Sequence, residues 1–194
     1  MMSAATQEDR PQLARDEIIR TAMELLKDGG IDRLTIRALG ARLGVAPGAI
    51  YYYIAGKKEL LEEIGAMIAS SIPAPPFASW QDQMRVHVRD TLDTFGRYPG
   101  SDALANAVEP WRLTEGQPSH LHRILSRAGF AGEGLESAFG TATIFLSGAL
   151  RIADIRRRTG LRPLIDCREM DMAIETLIEG LTSIAQRQGA SSTD

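Results

Sequence analysis

The amino-acid sequence predicts an all-α protein, and three observations support that prediction. Apolar residues recur at spacings of three and four along the longer segments, which is the period of a helix buried on one face. Residues typical of helix starts and ends, such as Ser79 and Gly44, stand at the borders of these segments. We find no segment that alternates apolar and polar residues in the way a half-buried strand does.

The composition excludes several classes of protein. Hydrophobic residues make up 44% and charged residues 24% of the chain, as in ordinary soluble proteins. The single cysteine, Cys167, cannot form an internal disulfide, and the absence of a second cysteine or a nearby histidine argues against a zinc site. The polar start of the chain is unlike a signal peptide, and the uncharged stretch 137–150 is shorter than the ~20 residues of a membrane span. We therefore expect a cytoplasmic protein with no metal, cofactor or membrane segment.

Residues 34–58, LTIRALGARLGVAPGAIYYYIAGKK, predict two short helices joined by a tight turn. Thr35 is suited to cap the first helix, because its hydroxyl can accept a backbone N–H that the first turn leaves unpaired. Gly44 follows the last apolar residue, where a left-handed conformation ends many helices. Pro47 stands where the second helix begins, at the position where a missing N–H has no cost. This pattern is a helix-turn-helix.

The two helices of this motif must cross closely and expose one face. We expect Gly40 at the crossing, where a side chain would hold the helices apart, and Ile50 and Ile54 turned inward one helical turn apart. Small residues followed by tyrosines then face outward, and such a surface can enter a major groove and contact phosphates or base edges. The outward residues are Gly48, Ala49, Tyr51 and Tyr52.

The charge distribution agrees with a nucleic-acid partner for this face. The segment 33–58 carries five basic residues and no acid, although the whole chain has a formal charge of -3. A local basic stripe is what a phosphate-binding surface requires, whatever the net charge of the protein. The five residues are Arg33, Arg37, Arg42, Lys57 and Lys58.

Helices are also predicted on both sides of the motif. An amphipathic helix from Gln12 to Lys27 precedes it and is stopped by the pair Gly29 and Gly30. A fourth helix from Lys57 to Ser70 follows it and ends at a proline-rich run, which cannot remain helical.

With these elements in place, residues 13–64 resemble the DNA-binding domain of the TetR (tetracycline-repressor) family of bacterial transcriptional regulators. The markers are Gly29-Gly30, Leu34-Thr35, Leu43-Gly44-Val45, Ile50-Tyr51-Tyr52-Tyr53-Ile54 and Lys57-Glu59-Leu60-Leu61. Two positions depart from the common pattern: Ala46, where Ser or Thr is usual, and Tyr53, where His is frequent. The resemblance implies that the residues at the DNA are Thr35, Arg37, Pro47, Gly48, Ala49, Tyr51, Tyr52, Tyr53 and Lys57.

The rest of the chain predicts five further helices. The start Ser79-Trp80-Gln81-Asp82 has the form of a capping box. The helix that follows it ends before Tyr98-Pro99-Gly100 and carries Trp80, Met84, His87, Val88, Thr91 and Phe95 on one face. The other predicted helices are Asp102 to Glu109, Ser119 to Ala128, about Glu133 to Arg158, and Asp166 to Gln188.

The last two helices predict a dimer. The stretch 137–150 is apolar nearly all round, so it needs cover on both sides. The last helix repeats apolar residues at alternating spacings of four and three, a heptad-like seam typical of a four-helix bundle between two subunits. The seam residues are Met170, Ile174, Leu177, Leu181 and Ile184. The alternative is that both faces are buried within one subunit.

A search for catalytic chemistry finds no nucleophile elbow, phosphate-binding loop, dinucleotide fingerprint or metal-ligand pair. His87 lies on an apolar face with Thr91 one turn on. It is either a core histidine bonded to a backbone carbonyl or, with Thr91, a polar group in a mostly apolar ligand cavity. We expect the cavity residues to be Met84, His87, Thr91, Phe95, Trp111 and Phe145; each of the apolar ones has ordinary core packing as its alternative.

Together, the residues and the resemblance predict a transcriptional regulator that is not an enzyme. We expect a DNA-binding domain at 1–56, a linking helix at 57–72 and a ligand-binding and dimerisation domain at 73–194. The predicted function is repression, with a homodimer on a pseudo-palindromic operator of double-stranded DNA released by a small, largely apolar effector. The alternatives are an activator or ligand-independent regulator of the same fold, and a small helical enzyme acting on an apolar substrate.

Overall fold

The computed structural model describes residues 14–75, 79–100, 102–104 and 119–191, and in these ranges it is built from helices without strands. The amino-terminal helices are α1 (Arg15–Arg33), α2 (Ile36–Leu43), α3 (Pro47–Tyr51) and α4 (Lys57–Ser70). The carboxy-terminal helices are α5 (Trp80–Gly96), α6 (His120–Arg127), α7 (Gly132–Arg158) and α8 (Arg168–Ser191). The predicted all-α class is confirmed.

Helix α1 is longer than predicted. It continues through Gly29 to Arg33, and the helical path is broken only at Gly30, which has φ 72°. The predicted interruption by the glycine pair therefore occurs, at Gly30, and the predicted end at Lys27 was two residues short. A glycine inside a helix costs about 1 kcal/mol relative to alanine, which packing of the rest of α1 can offset. Only the residue with positive φ interrupts the helix.

The helix-turn-helix has the predicted caps. Thr35 Oγ1 accepts from the amide of Ala38 at 3.0 Å, and Gly44 adopts the left-handed conformation at the end of α2. Pro47 is the first residue of α3, and Ala46 before it provides no side-chain cap. The predicted inward residues Ile50 and Ile54 are buried.

Helix α4 has the predicted bounds and is tied to the start of α1. The guanidinium of Arg15 pairs with Glu59 at 2.6 Å and with Glu63 at 2.9 Å, and it donates to the Tyr53 carbonyl. The amide of Ala55 donates to the Glu59 carboxylate, which lowers the pKa of Glu59 together with the Arg15 contact. One surface network thus joins α1, the end of α3 and α4.

Helix α5 is the central element of the carboxy-terminal helices and packs against α6, α7 and α8. Its predicted start is confirmed by the N-cap: Ser79 Oγ accepts from the Asp82 amide and donates to the Asp82 carboxylate. Two ion pairs join α5 to α8: Arg85 binds Glu175 through two N–H groups, and Arg89 binds Asp171.

The heptad-like seam of the last helix lies inside the protomer. Of its five residues, Met170, Ile174 and Leu181 are buried, Leu177 is half-buried and Ile184 is exposed. The expectation that this seam forms the subunit contact was wrong for the buried residues, because they pack into the core below α8. A helix stripe can serve only one of these two contacts.

Three further predictions differ from the structure or fall outside it. A 3₁₀ turn, Leu164–Asp166, precedes the last helix, which begins at Arg168. Of the predicted helix from Asp102 to Glu109, residues 102–104 are helical and the remainder lies outside the described residues. Helix α7 is long and apolar enough to span a membrane by length and composition, contrary to the sequence argument, although core helices of soluble proteins meet the same criteria.

Candidate DNA interface and effector site

The predicted recognition face is the exposed side of α3. Pro47, Gly48 and Ala49 are exposed, and the side chains of Tyr51 and Tyr52 are 54% and 84% exposed. Large apolar rings are costly to leave in water without a function, so this pair marks a contact surface. Tyr53 is half-buried and packs edge-on against Tyr52 with ring centroids 5.1 Å apart.

Gly40 sets the distance between α2 and the turn, as predicted. A Cβ at this position would lie 2.9 Å from the carbonyl oxygen of Val45 and 3.6 Å from the ring nitrogen of Pro47. The amide of Val45 donates to the Gly40 carbonyl at 3.0 Å, so the two backbones are directly bonded. The absence of a side chain here allows α3 to sit close against α2 with its small residues outward.

The predicted basic residues divide into two groups. Arg42 is held by acids of α1, at 3.0 Å from Asp28 and 3.6 Å from Glu24, so part of its charge is neutralised within the protein. Arg37 is exposed and makes no ion pair with another residue of the described ranges. Of the two arginines on α2, Arg37 is therefore the better placed for a phosphate or a base.

Lys57 connects the start of α4 to the end of α1. Its ammonium group donates to the Ile31 carbonyl at 3.2 Å, and the side chain remains exposed. An ammonium has three N–H donors, so a phosphate can still be bound by the other two. The sequence predicted Lys57 at the DNA, but gave no sign of this contact with Ile31.

The junction between the amino-terminal helices and the end of α5 is tightly packed at two glycines. Gly30 and Gly100 both have positive φ, and a Cβ on Gly100 would lie 2.6 Å from the Ile31 side chain. A Cβ on Gly30 would lie 2.9 Å from Pro99, and the Ile31 amide donates to the Pro99 carbonyl at 3.2 Å. We call these residues, 30–31 with 99–100, the glycine junction.

Asp154 of α7 anchors the glycine junction from the other side. Its carboxylate accepts from the Gly100 amide at 3.0 Å and pairs with Arg157 and with Arg158, the latter at 2.6 Å. Burial alone would raise the pKa of Asp154, but the Gly100 amide and the two guanidinium groups outweigh it, and the pKa is lowered. Two arginines at the end of α7, Arg157 and Arg158, thus pair with this carboxylate.

A row of polar side chains lies inside the carboxy-terminal helices. Gln83, His87 and Thr91 are all buried, and their spacing of four places them on one face of α5. Gln83 Oε1 accepts from Arg127 at 3.1 Å, and the Thr91 hydroxyl donates to the backbone carbonyl of His87 at 2.7 Å. We call these three residues the α5 polar row.

His87 is the exception within the α5 polar row. Its Nδ1 is buried and has no hydrogen-bond partner among the described residues, so at this atom the predicted bond to a backbone carbonyl is not made. Burial, assisted by the neighbouring His120, lowers the pKa of His87 to about 4. The imidazole is therefore neutral at physiological pH.

The other predicted cavity residues differ in how deeply they are buried. Met84 and Phe95 are buried and Phe145 is half-buried against the core, whereas Trp111 lies outside the described residues. Sequence reasoning missed Gln83, although its position four residues before His87 was a usable signal. It also missed Asp154, for which no local pattern indicated a partner 54 residues away.

The two histidines of α6, His120 and His122, make different contacts. The ring of His120 meets that of His87 edge to face, with centroids 6.4 Å apart. The ring of His122 stacks on Phe139, and its Nδ1 lies 3.0 Å from the Ser119 hydroxyl. Within the described ranges, no group of three or more His, Cys, Asp or Glu side chains is placed to hold a metal ion.

These elements define an all-α protein of the helix-turn-helix class, and comparison with known proteins agrees. The family model of bacterial regulatory proteins, tetR family, matches residues 18–64. Over 53 residues the chain is 45% identical to the class C tetracycline repressor protein of Escherichia coli, and over 144 residues it is 28% identical to the class A protein. The match to the tetR family thus covers the helix-turn-helix and the helices on either side of it.

The curated relatives are matched over part of their length. The aligned segments cover 27% and 72% of this chain, and 24% and 66% of the class C and class A repressors. The higher identity is thus confined to a short segment, while the longer match reaches into the carboxy-terminal helices.

Solved structures share the fold over most of the chain. BioQ of Mycobacterium smegmatis is known with its double-stranded DNA operator; that structure is 23% identical, covers 89% of this chain and 99% of its own, and has a TM-score of 0.73. ActR of Streptomyces coelicolor in complex with actinorhodin is 18% identical, covers 87% and 95%, and has a TM-score of 0.73. At these identities the likeness establishes the fold.

Proposed function

We propose that this protein is a transcriptional repressor that binds a pseudo-palindromic operator as a homodimer and is released by a small, largely apolar effector. The proposed division of the chain is a DNA-binding domain at 1–56, a linking helix at 57–72 and an effector and dimerisation domain at 73–194. The observation that carries the proposal is the exposed face of α3, with two tyrosines and three small residues. Arg37 of α2 adds an exposed guanidinium that has no ion pair among the described residues.

The DNA-binding step follows from the shape and charge of that face. Small residues at the start of α3 allow its backbone to approach the groove, and the tyrosines one turn later can reach phosphates or base edges. Arg37 at the start of α2 supplies a guanidinium for a phosphate or for guanine. BioQ, a protein of the same fold, is known in complex with its operator, which supports DNA binding by this fold. The proposed DNA contacts are Thr35, Arg37, Pro47, Gly48, Ala49, Tyr51, Tyr52, Tyr53 and Lys57.

The homodimer is proposed from the exposed faces of α7 and α8. Ile144 of α7 is 76% exposed and Met172 of α8 is 72% exposed, and Ile152, Ile155 and Ile184 are also largely uncovered. On α7 the exposed apolar positions alternate with small ones, such as Gly148, which allows two helices to pack closely. A second copy of this chain presents the same faces, so a symmetric four-helix contact covers both. Two α3 helices then lie about 34–36 Å apart, one turn of DNA.

Effector release is proposed to act through the glycine junction. The proposed effector site is lined by Met84, His87, Thr91, Phe95, Trp111 and Phe145, and α5, which carries four of these residues, ends at the junction. Three hydrogen bonds connect these elements. The Gly100 amide donates to the Asp154 carboxylate, the Ile31 amide donates to the Pro99 carbonyl, and Lys57 at the start of α4 donates to the Ile31 carbonyl. A shift of α5 relative to α7 would thus be passed to α4 and change the spacing of the two α3 helices. ActR in complex with actinorhodin supports a small-molecule effector.

Two alternatives remain distinct from this proposal. A regulator of the same fold that activates, or that responds to no small molecule, would bind the same operator but keep it in the presence of every effector. A small helical enzyme would act on an apolar substrate near His87. We favour a regulator over an enzyme, because Nδ1 of His87 has no nucleophile or carboxylate hydrogen-bonded to it among the described residues. We propose that this regulator acts in the cytoplasm.

The first experiment selects genomic DNA fragments with the purified protein and measures affinity for the recovered fragment. We expect a recurrent pseudo-palindrome, and replacement of Arg37 or Tyr51 by alanine to weaken its binding by about 1–3 kcal/mol if each reads a base. Arg168→Ala, which removes one exposed charge at the start of α8, is the matched control and should leave the affinity unchanged.

The salt dependence separates specific from non-specific binding. A specific complex retains discrimination against unrelated DNA at moderate salt, whereas binding through phosphates alone falls steeply for all sequences. Recovery of sequence-blind fragments, or full operator affinity in both the Arg37 and Tyr51 variants, would contradict the proposed interface.

A further inference from the structure

The buried polar side chains of this protein are concentrated on one helix face. Among the described residues four polar or charged side chains are buried, and three of them form the α5 polar row. The fourth, Asp154, belongs to the glycine junction. Burying an unpaired polar group costs free energy, so a polar row inside an apolar core requires partners.

The two ends of the row have partners within the protein. Gln83 accepts from Arg127 of α6, and Thr91 donates to the main chain of its own helix. The Gln83 side-chain oxygen and the Thr91 hydroxyl therefore have hydrogen-bond partners without a ligand. The middle of the row is different, since Nδ1 of His87 is buried and unpaired among the described residues.

The surroundings of His87 determine what partner can satisfy it. On α5 its neighbours in the row are the uncharged Gln83 and Thr91, and across from it lies the edge-to-face ring of half-buried His120. Burial lowers the pKa of both histidines, so both rings are neutral at physiological pH. A neutral imidazole nitrogen accepts a hydrogen bond in one tautomer and donates one in the other, but it cannot neutralise a carboxylate or an ammonium.

We propose that the effector is an uncharged molecule with an apolar ring or chain and a hydroxyl group that hydrogen-bonds to Nδ1 of His87. This inference rests on the proposed function and names the chemical class of its effector. A hydroxyl both donates and accepts, so it fits either tautomer of the ring. The rest of the molecule contacts the apolar side chains near the row, among them Met84 and Phe95.

The experiment uses three small probes of similar size: phenol, anisole and toluene. Their dissociation constants for the full-length protein are measured by ligand-detected NMR titration. We expect phenol to bind several-fold to about tenfold more tightly than toluene or anisole, because its hydroxyl alone can both donate to and accept from Nδ1, and a net hydrogen bond gives a factor of that size. The ¹⁵N resonances of the His87 ring should shift on addition of phenol and not of toluene.

Variants of His87 test whether this atom carries the preference. His87→Leu should lose the preference for phenol, whereas His87→Asn, whose amide lies near the former Nδ1, should retain part of it. His122→Leu removes the histidine that stacks on Phe139 and serves as the control, with the phenol preference intact. Near-UV circular dichroism of each variant checks that the fold is retained.

Several outcomes would overturn the inference. They are equal affinity for phenol and toluene, an undiminished preference in His87→Leu, or failure of all three probes to bind. Operator affinity of the unliganded protein is measured in the same preparations. If the protein binds its operator but does not discriminate between the probes, only the proposed effector class is wrong. If it binds no operator, the proposed function is wrong, and the probe affinities alone decide whether His87 binds a hydroxyl.

Discussion

Gly40 lies at the closest approach between α2 and the chain that enters α3. An added Cβ at Gly40 would lie 2.9 Å from the backbone carbonyl oxygen of Val45, which cannot rotate away as a side chain could. Side-chain contacts in this region can adjust by rotation, but the Val45 carbonyl belongs to the turn itself. The position of the recognition face therefore depends on a single small residue.

We predict that Gly40→Ala destabilises the protein by about 1–3 kcal/mol, the usual cost of overpacking. Urea unfolding measures this change. Gly96→Ala is the control, since an added Cβ at that helical position meets nothing within 4 Å and alanine favours a helix. Equal stability of the two variants would show that the turn relaxes without cost.

Asp154 gives a second prediction, for the dependence of stability on pH. Its pKa is lowered in the folded protein, so its contribution is fully present above the ordinary value of 3.8 and is lost as the pH falls through the lower, folded pKa. Asp154→Asn retains an acceptor for Gly100 but loses the pairs with Arg157 and Arg158. We expect the variant to be less stable by about 1–2 kcal/mol at neutral pH. The difference should begin to shrink as the pH falls below 3.8 and disappear below the lower, folded pKa, and a constant difference at all pH values would refute the assignment.

The contact between α1, the end of α5 and α7 shows how whole elements are fixed relative to one another. Each of two turns uses a glycine with positive φ, and each glycine faces the other turn without a Cβ. A main-chain hydrogen bond joins the turns, and a carboxylate of α7 fixes one of them. The arrangement is rigid because backbone atoms, rather than flexible side-chain ends, are in contact.

We predict that Gly100→Ala loosens the glycine junction. The new Cβ would meet the Ile31 side chain at 2.6 Å and would also strain a backbone with φ 79°. Gly160→Ala separates the two effects, because Gly160 has φ 68° but nothing within 4 Å of an added Cβ. Hydrogen exchange of the Ile31 amide should accelerate in the Gly100 variant and remain unchanged in the Gly160 variant. Protection of the Ile31 amide in the Gly100 variant equal to that in the Gly160 variant would show that the junction accommodates the added side chain without loosening.

At the scale of the whole molecule, the unburied apolar surface is unevenly distributed. It is concentrated on α3 and on the outer faces of α7 and α8, with single residues such as Met67 of α4 elsewhere. The inner faces of the same long helices carry the core. A protein that exposes isoleucines along a long helix in this way is expected to cover them with another subunit.

We predict that Ile144→Glu combined with Ile152→Glu gives a monomer. Both side chains are at least half exposed, so the changes do not disturb the core of the protomer, but a charge in an apolar contact is strongly unfavourable. Sedimentation velocity measures the change. Met67→Glu introduces a charge at an exposed apolar residue of α4 and should leave the dimer intact. A double variant that remains dimeric would place the interface elsewhere.

The two helices of the helix-turn-helix were the most predictable part of the molecule. Their caps, turn and inward residues depend on interactions within four or five positions of the chain, and each has a recognisable residue type, such as Thr35, Gly44 and Pro47. The prediction was weaker where an apolar stripe on a helix can pack either against its own protomer or against a second subunit. The seam of α8 has the spacing of a subunit contact, but the same spacing serves a helix buried in its own protomer.

The sequence by itself determined the helical class and the helix-turn-helix, because these follow from local periodicity and short motifs. Only the tertiary structure decided which face of α8 is inside, which carboxylate holds Gly100, and that Nδ1 of His87 has no partner among the described residues. These three facts depend on residues far apart in the chain. No local pattern encodes such contacts, since packing selects them from many that the sequence permits.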